Sequence, residues 1–214
     1  MATGRFPDHF IPMKNFGINT YVIALGGSVI ADISDGVKIV SERNIDPEII
    51  KRLGVRFMGG EIPNVKRLVI HSDSGSVTLT PENPENLTNL SAALSRPVCK
   101  FIVVEEPAVG KELREYMVSE FPELDFEMSW RAGLEGFSKG VNKGSAVKLL
   151  RERLGGIHTV VCVGDYENDI SMIRYADIGY APENAFEGAK AAADRITVSC
   201  RENAIAAVIN ELGA

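Results

Sequence analysis

Residues Thr159–Ala176 read TVVCVGDYENDISMIRYA, and the fold turns on how this stretch is divided. Thr159-Val160-Val161-Cys162-Val163 is an apolar, β-branched run of the kind buried on both faces of a parallel sheet. It stops at Gly164-Asp165, and after Tyr166-Glu167 a helical spacing sets in, with Ile170, Ile173 and Ala176 along one face. Asp165, Asn168 and Asp169 therefore crowd the turn at the carboxyl end of a strand, where open α/β sheets bind their ligands. Two carboxylates and an amide suit a hard cation such as Mg²⁺ together with a phosphate oxygen. Helix capping by Asp165 or Glu167, with Asp169 in the first turn, accounts for the same residues about equally well on the turn alone.

On either side of this stretch the sequence alternates. Asn142–Leu154 reads as a helix capped by Asn142 and stopped by Gly155-Gly156. Ile178–Ala181 and Arg195–Val198 read as strands, and Ala185–Ala193 and Glu202–Leu212 as helices, which is parallel, doubly wound α/β architecture. The amino terminus, MATGRF, looks like the end of a strand entering a loop, and Asn19–Ile30 like two short strands around Gly26-Gly27. Gly36 signals a hairpin turn.

Between about residues 33 and 138 the texture is different. Arg67–His71 and Ser76–Thr80 flank Asp73-Ser74-Gly75 as a hairpin, Leu87–Leu94 forms a short helix, and Lys100–Val104 a strand. Val109–Phe121 is an amphipathic helix with Leu113, Tyr116, Met117 and Phe121 inward, and Leu124–Trp130 alternates as a strand. The expected organisation is a discontinuous α/β core, 1–32 and 139–214, with an α+β cap inserted at 33–138.

Composition narrows the function classes. With 214 residues, 45% hydrophobic and a net charge of −6, the chain can bury a sizeable core and offers no basic patch for nucleic acid or an anionic membrane. No apolar run is long enough to span a bilayer, and Cys99, Cys162 and Cys200 form no CxxC pair, a usage that fits a reducing cytoplasm. Gly26-Gly27 lacks the spaced glycines and downstream acid of a dinucleotide-binding turn.

Four stretches in order, Ala2-Thr3-Gly4-Arg5, Gly140-Val141-Asn142-Lys143-Gly144, Gly164-Asp165-Tyr166-Glu167-Asn168-Asp169 and Ala181-Pro182-Glu183-Asn184-Ala185, resemble motifs of the haloacid dehalogenase (HAD) superfamily. The resemblance is specifically to Cof-type phosphatases with a C2B cap, and runs from Met1 to about Leu212. It implies a Rossmann-like core, Mg²⁺ as cofactor and a small phosphorylated metabolite, most of all a sugar phosphate, as partner. By the same resemblance Asp165 ligates Mg²⁺, and Asp169 orients a metal-bound water or pairs with Lys143. Lys143 screens the phosphate, and Thr3, Gly4 and Asn168 hold its oxygens. Arg5 and Asn184 make substrate or loop contacts. Lys139 is a competitor to Lys143, and Trp130, Arg131 and Glu135 are weaker candidates for cap contacts, against a packed Trp beside solvated charges.

The family's first motif, DxDGT after an apolar strand, supplies the nucleophilic aspartate and the general acid/base, and no counterpart precedes ATGR. The nearest imitation, Ile70–Ser76, reads as a hairpin turn. The expectation is an amino-terminally truncated form whose core lacks its central strand and whose activity is lost, or else a degenerate phosphate- or metal-binding protein. Pairing of Tyr21–Leu25 with Val160–Val163 would close the sheet instead. Gly26-Gly27-Ser28 departs from the family's Asn-Gly-Ala, Pro182-Glu183 from Met-Gly, and Tyr166 stands where a small residue is common. His9, His71 and His158 are dispersed and read as surface or loop residues.

Overall fold

Tyr21–Ala24 (β1) and Val29–Asp32 (β2) pair antiparallel across a tight Leu25–Gly27 turn, and Lys38–Glu42 (β3) adds to β2 beyond the Gly36 turn. Gly26 is required in that turn: its φ is +72°, and a methyl there would sit 2.4 Å from the Phe137 ring. The first residues run parallel to β1, with Ile23 N donating to Met1 O (2.7 Å) and Thr3 N to Ile23 O (2.8 Å). The computed structural model describes residues 1–16, 20–73, 75–156 and 159–213. Asn19, Ser74 and His158, each part of a reading above, lie outside the described residues.

A five-stranded antiparallel sheet follows, built from Arg67–Ser72 (β4), Gly75–Leu79 (β5), Val98–Val104 (β6), Leu124–Trp130 (β7) and Gly133–Ser138 (β8) in the order β5-β4-β6-β8-β7. Period-2 alternation gives it two faces. Leu68, Ile70, Phe101, Val103, Leu134, Phe126 and Met128 pack into one apolar core. That core is completed by Pro47–Met58 (α1), Asn86–Leu94 (α2) and Lys111–Glu120 (α3), through Leu53, Phe57, Leu90, Leu113 and Met117. Each such side chain, when fully buried, contributes about 1.5–3 kcal/mol. The alternate residues, among them His71, Lys100 and Glu135, point to the opposite face.

Two elements here were not read from the sequence. Helix α1 begins at Asp46-Pro47, where Asp46 caps through Glu48 N (2.9 Å) and Pro47 occupies the first turn, a start signal that was available. Strand β8 carries two glycines that weaken its strand pattern; a methyl on Gly136 would collide with the Phe101 ring.

From Lys143 the chain alternates as expected: Lys143–Leu154 (α4), Val161–Val163 (β9), a 3₁₀ turn at Glu167–Asp169, Ile170–Tyr175 (α5), Ile178–Pro182 (β10), Glu187–Ala192 (α6), Arg195–Thr197 (β11) and Ala204–Leu212 (α7). Its sheet is parallel, in the order β11-β10-β9. The alternative in which Tyr21–Leu25 pairs with Val160–Val163 is not among the strand pairings of the described residues. The ladder partner of β1 is β2, with the Ala2 bridge on its other side, and among the described residues β9 pairs with β10. Two compact units result, Met1–Val141 and Asn142–Ala214. Among the described residues no helix is long and apolar enough to cross a membrane.

Candidate phosphate and cation site

In the unit Asn142–Ala214, the site begins with a helix start. Asn142 Oδ1 accepts from Ser145 N (2.8 Å) and Ser145 Oγ accepts from Asn142 N (3.1 Å), a reciprocal cap that fixes the first turn of α4. The next requirement is close approach. A methyl on Gly144 would lie 2.3 Å from the Ser171 carbonyl, so glycine alone lets α4 meet the start of α5, where Gly144 N donates to Ser171 Oγ (3.1 Å). Lys143 is thereby brought to Asp169, with Nζ 2.5 Å from Oδ1, both residues 6% exposed.

The other oxygen of Asp169 accepts from Asp165 N (3.0 Å) and Tyr166 N (3.2 Å). The capping role weighed for Asp165 or Glu167 thus belongs to Asp169, which also holds Lys143. Both of its oxygens are engaged. Asp165 is exposed, and its carboxyl lies within hydrogen-bond reach of the Asp169 side chain. Partial burial of its carboxyl, then the adjacent charge of Asp169, raise its pKa above the ordinary aspartate value, with Lys143 opposing. Asn168 is buried in the 3₁₀ turn. The turn is anchored where Phe186 N donates to Asp165 O (2.8 Å) and the Tyr166 and Phe186 rings meet at 5.6 Å. Asn184 is spent on the neighbouring loop, accepting from Ser199 Oγ (3.1 Å) and Cys200 N (3.0 Å).

In the unit Met1–Val141, Thr3-Gly4-Arg5 is stitched to the Leu25–Gly27 turn by Gly26 N donating to Thr3 O (2.9 Å) and Leu25 N to Arg5 O (3.1 Å). Thr3 Oγ1 accepts from Arg5 N (3.2 Å), which bends the loop and fixes the hydroxyl. Lys139, the competitor to Lys143, lies in this unit and pairs with Asp125 at 2.8 Å. Trp130 is partly exposed and its ring lies over Gly133, as a packing role requires. Glu135 is not a solvated charge: it is 2% exposed and accepts from Lys100 Nζ and Ser129 Oγ, both at 2.8 Å. Lys100 and Ser129 were missed, although one signal was visible, a lysine inside the otherwise apolar strand VCKFIVV.

The donor set of the acidic turn fits Mg²⁺. That ion keeps several waters and takes one or two carboxylates beside phosphate oxygens, rather than a full protein cage. Asp165 offers an exposed carboxyl whose charge is disfavoured by burial and by Asp169, and among the described residues no group of three or more His, Cys, Asp or Glu forms a full cage, at this turn or elsewhere.

Comparison with known proteins identifies the family. The chain is 32% identical over 130 residues to the 5-amino-6-(5-phospho-D-ribitylamino)uracil phosphatase of Bacillus subtilis, covering 60% of this chain and 49% of that protein. It is 40% identical over 74 residues to the phosphoglycolate phosphatase of Archaeoglobus fulgidus, covering 34% and 33%. The chain spans less than half the length of the curated relatives it first matches, 43%, 13% and 49% of each. Among solved structures, a sugar phosphatase of HAD subclass IIB superposes with a TM-score of 0.80 at 21% identity, covering 99% of this chain and 84% of that one. A haloacid dehalogenase-like hydrolase from B. subtilis superposes at 0.77 and 22%, covering 99% and 86%. The model of the haloacid dehalogenase-like hydrolases matches residues 1–209, nearly the whole chain, and the protein belongs to that family.

Proposed function

We propose that this chain carries the phosphate- and cation-binding residues of a Mg²⁺-dependent phosphatase of small phosphorylated metabolites, sugar phosphates foremost. The observation that carries the reading is the division of labour in the acidic turn. Asp169 is held by Lys143 and by two backbone N–H groups, while Asp165 is exposed and its charge is destabilised by burial and by the neighbouring Asp169. Phosphoryl transfer asks a protein mainly for positioning and for neutralisation of the phosphate oxygens. Lys143 has donors left beyond the one given to Asp169 and presents them from a buried, fixed position. Asn168, buried in the same turn, would donate a hydrogen bond to a phosphate oxygen. Mg²⁺ held through Asp165 would supply the remaining charge neutralisation. The relatives named for phosphatase activity on small phosphorylated compounds support the same class.

A second reading, a phosphate- and cation-binding module without turnover, has its own support. With Asp169 engaged and Asp165 assigned to the cation, neither carboxylate is left to attack phosphorus. One experiment separates the readings: phosphate binding and phosphate release, with and without Mg²⁺, by this chain and by Asp165→Ala. Release that the substitution abolishes supports the phosphatase and locates a nucleophile within the chain. Mg²⁺-dependent binding without release supports the module. Absence of Mg²⁺-dependent binding contradicts both.

A further inference from the structure

The face of the five-stranded sheet turned away from its apolar core carries acidic side chains that the phosphate site does not use. Glu135 on β8 has both its donors on one oxygen: Lys100 Nζ from β6 and Ser129 Oγ from β7 each reach Oε1 at 2.8 Å. Its side chain is 3% exposed, that of Lys100 is 2% exposed, and Oε2 is buried with no hydrogen-bond partner. Glu127 on β7 stands directly opposite Glu135 in the ladder, half-buried, and directly paired residues point to the same face. Asp125, two residues earlier on β7, is committed to Lys139 at 2.8 Å and to Gly140 N at 2.7 Å. His71 on β4, opposite Lys100, adds no charge at physiological pH: burial first, then Lys100, push its imidazole down to about 4.

Buried polar atoms are nearly always paired, and an orphan is costly. A carboxylate oxygen only accepts, so what completes Oε2 of Glu135 is a donor. Like charges directly opposite one another on a sheet are unfavourable, which makes a cationic donor fit better beside Glu127 than a neutral one. A metal ion fits worse. Among the described residues no group of three or more His, Cys, Asp or Glu could hold one, and the Lys100 ammonium on the same carboxylate opposes a charge of +2 more than one of +1. An alkylammonium group needs no cage. It brings one charge and up to three N–H donors, and it makes charge-assisted hydrogen bonds to single carboxylate oxygens.

We propose that Glu135 and Glu127 form a binding site for a small primary amine in its ammonium form, with Oε2 of Glu135 as the principal acceptor. The site lies within the unit Met1–Val141 and stands independently of the phosphatase reading. Lys100 and Ser129 are its positioning residues: by occupying Oε1 they leave Oε2 to the ligand.

The test is an NMR titration of the isotopically labelled full chain with three probes. Methylammonium has the charge and the N–H donors, tetramethylammonium has the charge without donors, and glycerol has hydroxyls without charge. Methylammonium alone is expected to give saturable shifts of the backbone amides of Glu127, Ser129 and Glu135. Glu135→Gln and, separately, Glu127→Gln should weaken its binding about ten-fold or more, the loss that one charge-assisted hydrogen bond carries. Glu135→Gln leaves the buried Lys100 ammonium without its charge partner and can unfold the sheet. Glu127→Gln keeps that pair, and the titration of the unsubstituted chain needs no variant at all. Equal saturation by tetramethylammonium or glycerol overturns the site, as does an unchanged affinity in either folded variant. So does the lack of a saturable shift with any probe, the result that a buried water on Oε2 would give.

Discussion

Two buried lysine–carboxylate pairs, Lys143–Asp169 and Lys100–Glu135, are built to different degrees of completion. In the first, the fold satisfies both carboxylate oxygens, one by the ammonium and one by two backbone N–H groups. In the second, one oxygen takes both the ammonium and a serine hydroxyl while the other has nothing, and the neighbouring imidazole is equally unsatisfied. A pair whose lone pairs are all used is a positioning device. A pair left open at low dielectric carries the cost of its unmet hydrogen bonds.

The largest effect that would sharpen this contrast is at Asp169. Asp169→Ala strands the Lys143 ammonium in a buried place and releases two backbone donors. It should cost about 3–5 kcal/mol in urea unfolding. A loss below about 1 kcal/mol would break the view that this pair organises the turn.

At the open pair the corresponding signature is acid sensitivity. The His71 pKa falls from 6.5 to about 4 on folding, so the unfolded chain takes up the proton first. Its contribution is fully present above pH 6.5, declines as pH falls to 4, and amounts to ~3 kcal/mol over that window. His71→Phe should flatten this part of the stability profile. An unchanged slope would mean that the imidazole is not desolvated as described.

Replacing whole pairs gives a more diagnostic difference. Lys100→Met with Glu135→Leu removes both charges and the orphan oxygen, and should be neutral or stabilising by up to ~4 kcal/mol. Lys143→Met with Asp169→Leu should remain destabilising by about 2 kcal/mol, because the N–H groups of Asp165 and Tyr166 lose their acceptor. Equal outcomes in thermal unfolding would erase the distinction between the pairs.

Much of this was legible in the sequence, for identifiable reasons. The acidic turn could be read because a strand, a glycine and an amphipathic helix fix where Asp165, Asn168 and Asp169 fall. Asn142 could be read as a cap and Lys143 as the first helical residue. The double employment of Asp169 was not legible, because which carboxylate caps a turn depends on backbone geometry that Gly144 and Ser171 set across two helices. The open pair was hidden for another reason. Lys100 and Glu135 are 35 residues apart and meet through the register of β6 on β8, and the glycines of β8 kept that strand from being read.

The smallest effect concerns the scaffold of the closed pair. Asn142→Ala removes the reciprocal cap with Ser145 and should cost about 1 kcal/mol, with Lys143 still held by Asp169. A loss of several kcal/mol would place the cap, rather than the ion pair, at the centre of the turn's stability.

The claim on which the functional reading stands is that the turn at Asp165 holds a divalent cation, and paramagnetic Mn²⁺ in place of Mg²⁺ tests it most directly. Titrated into the isotopically labelled chain, Mn²⁺ should broaden the backbone amide resonances from Gly164 to Asp169 first, and Asp165→Asn should abolish that broadening while the fold persists. Broadening centred elsewhere, or unchanged in Asp165→Asn, would contradict the account.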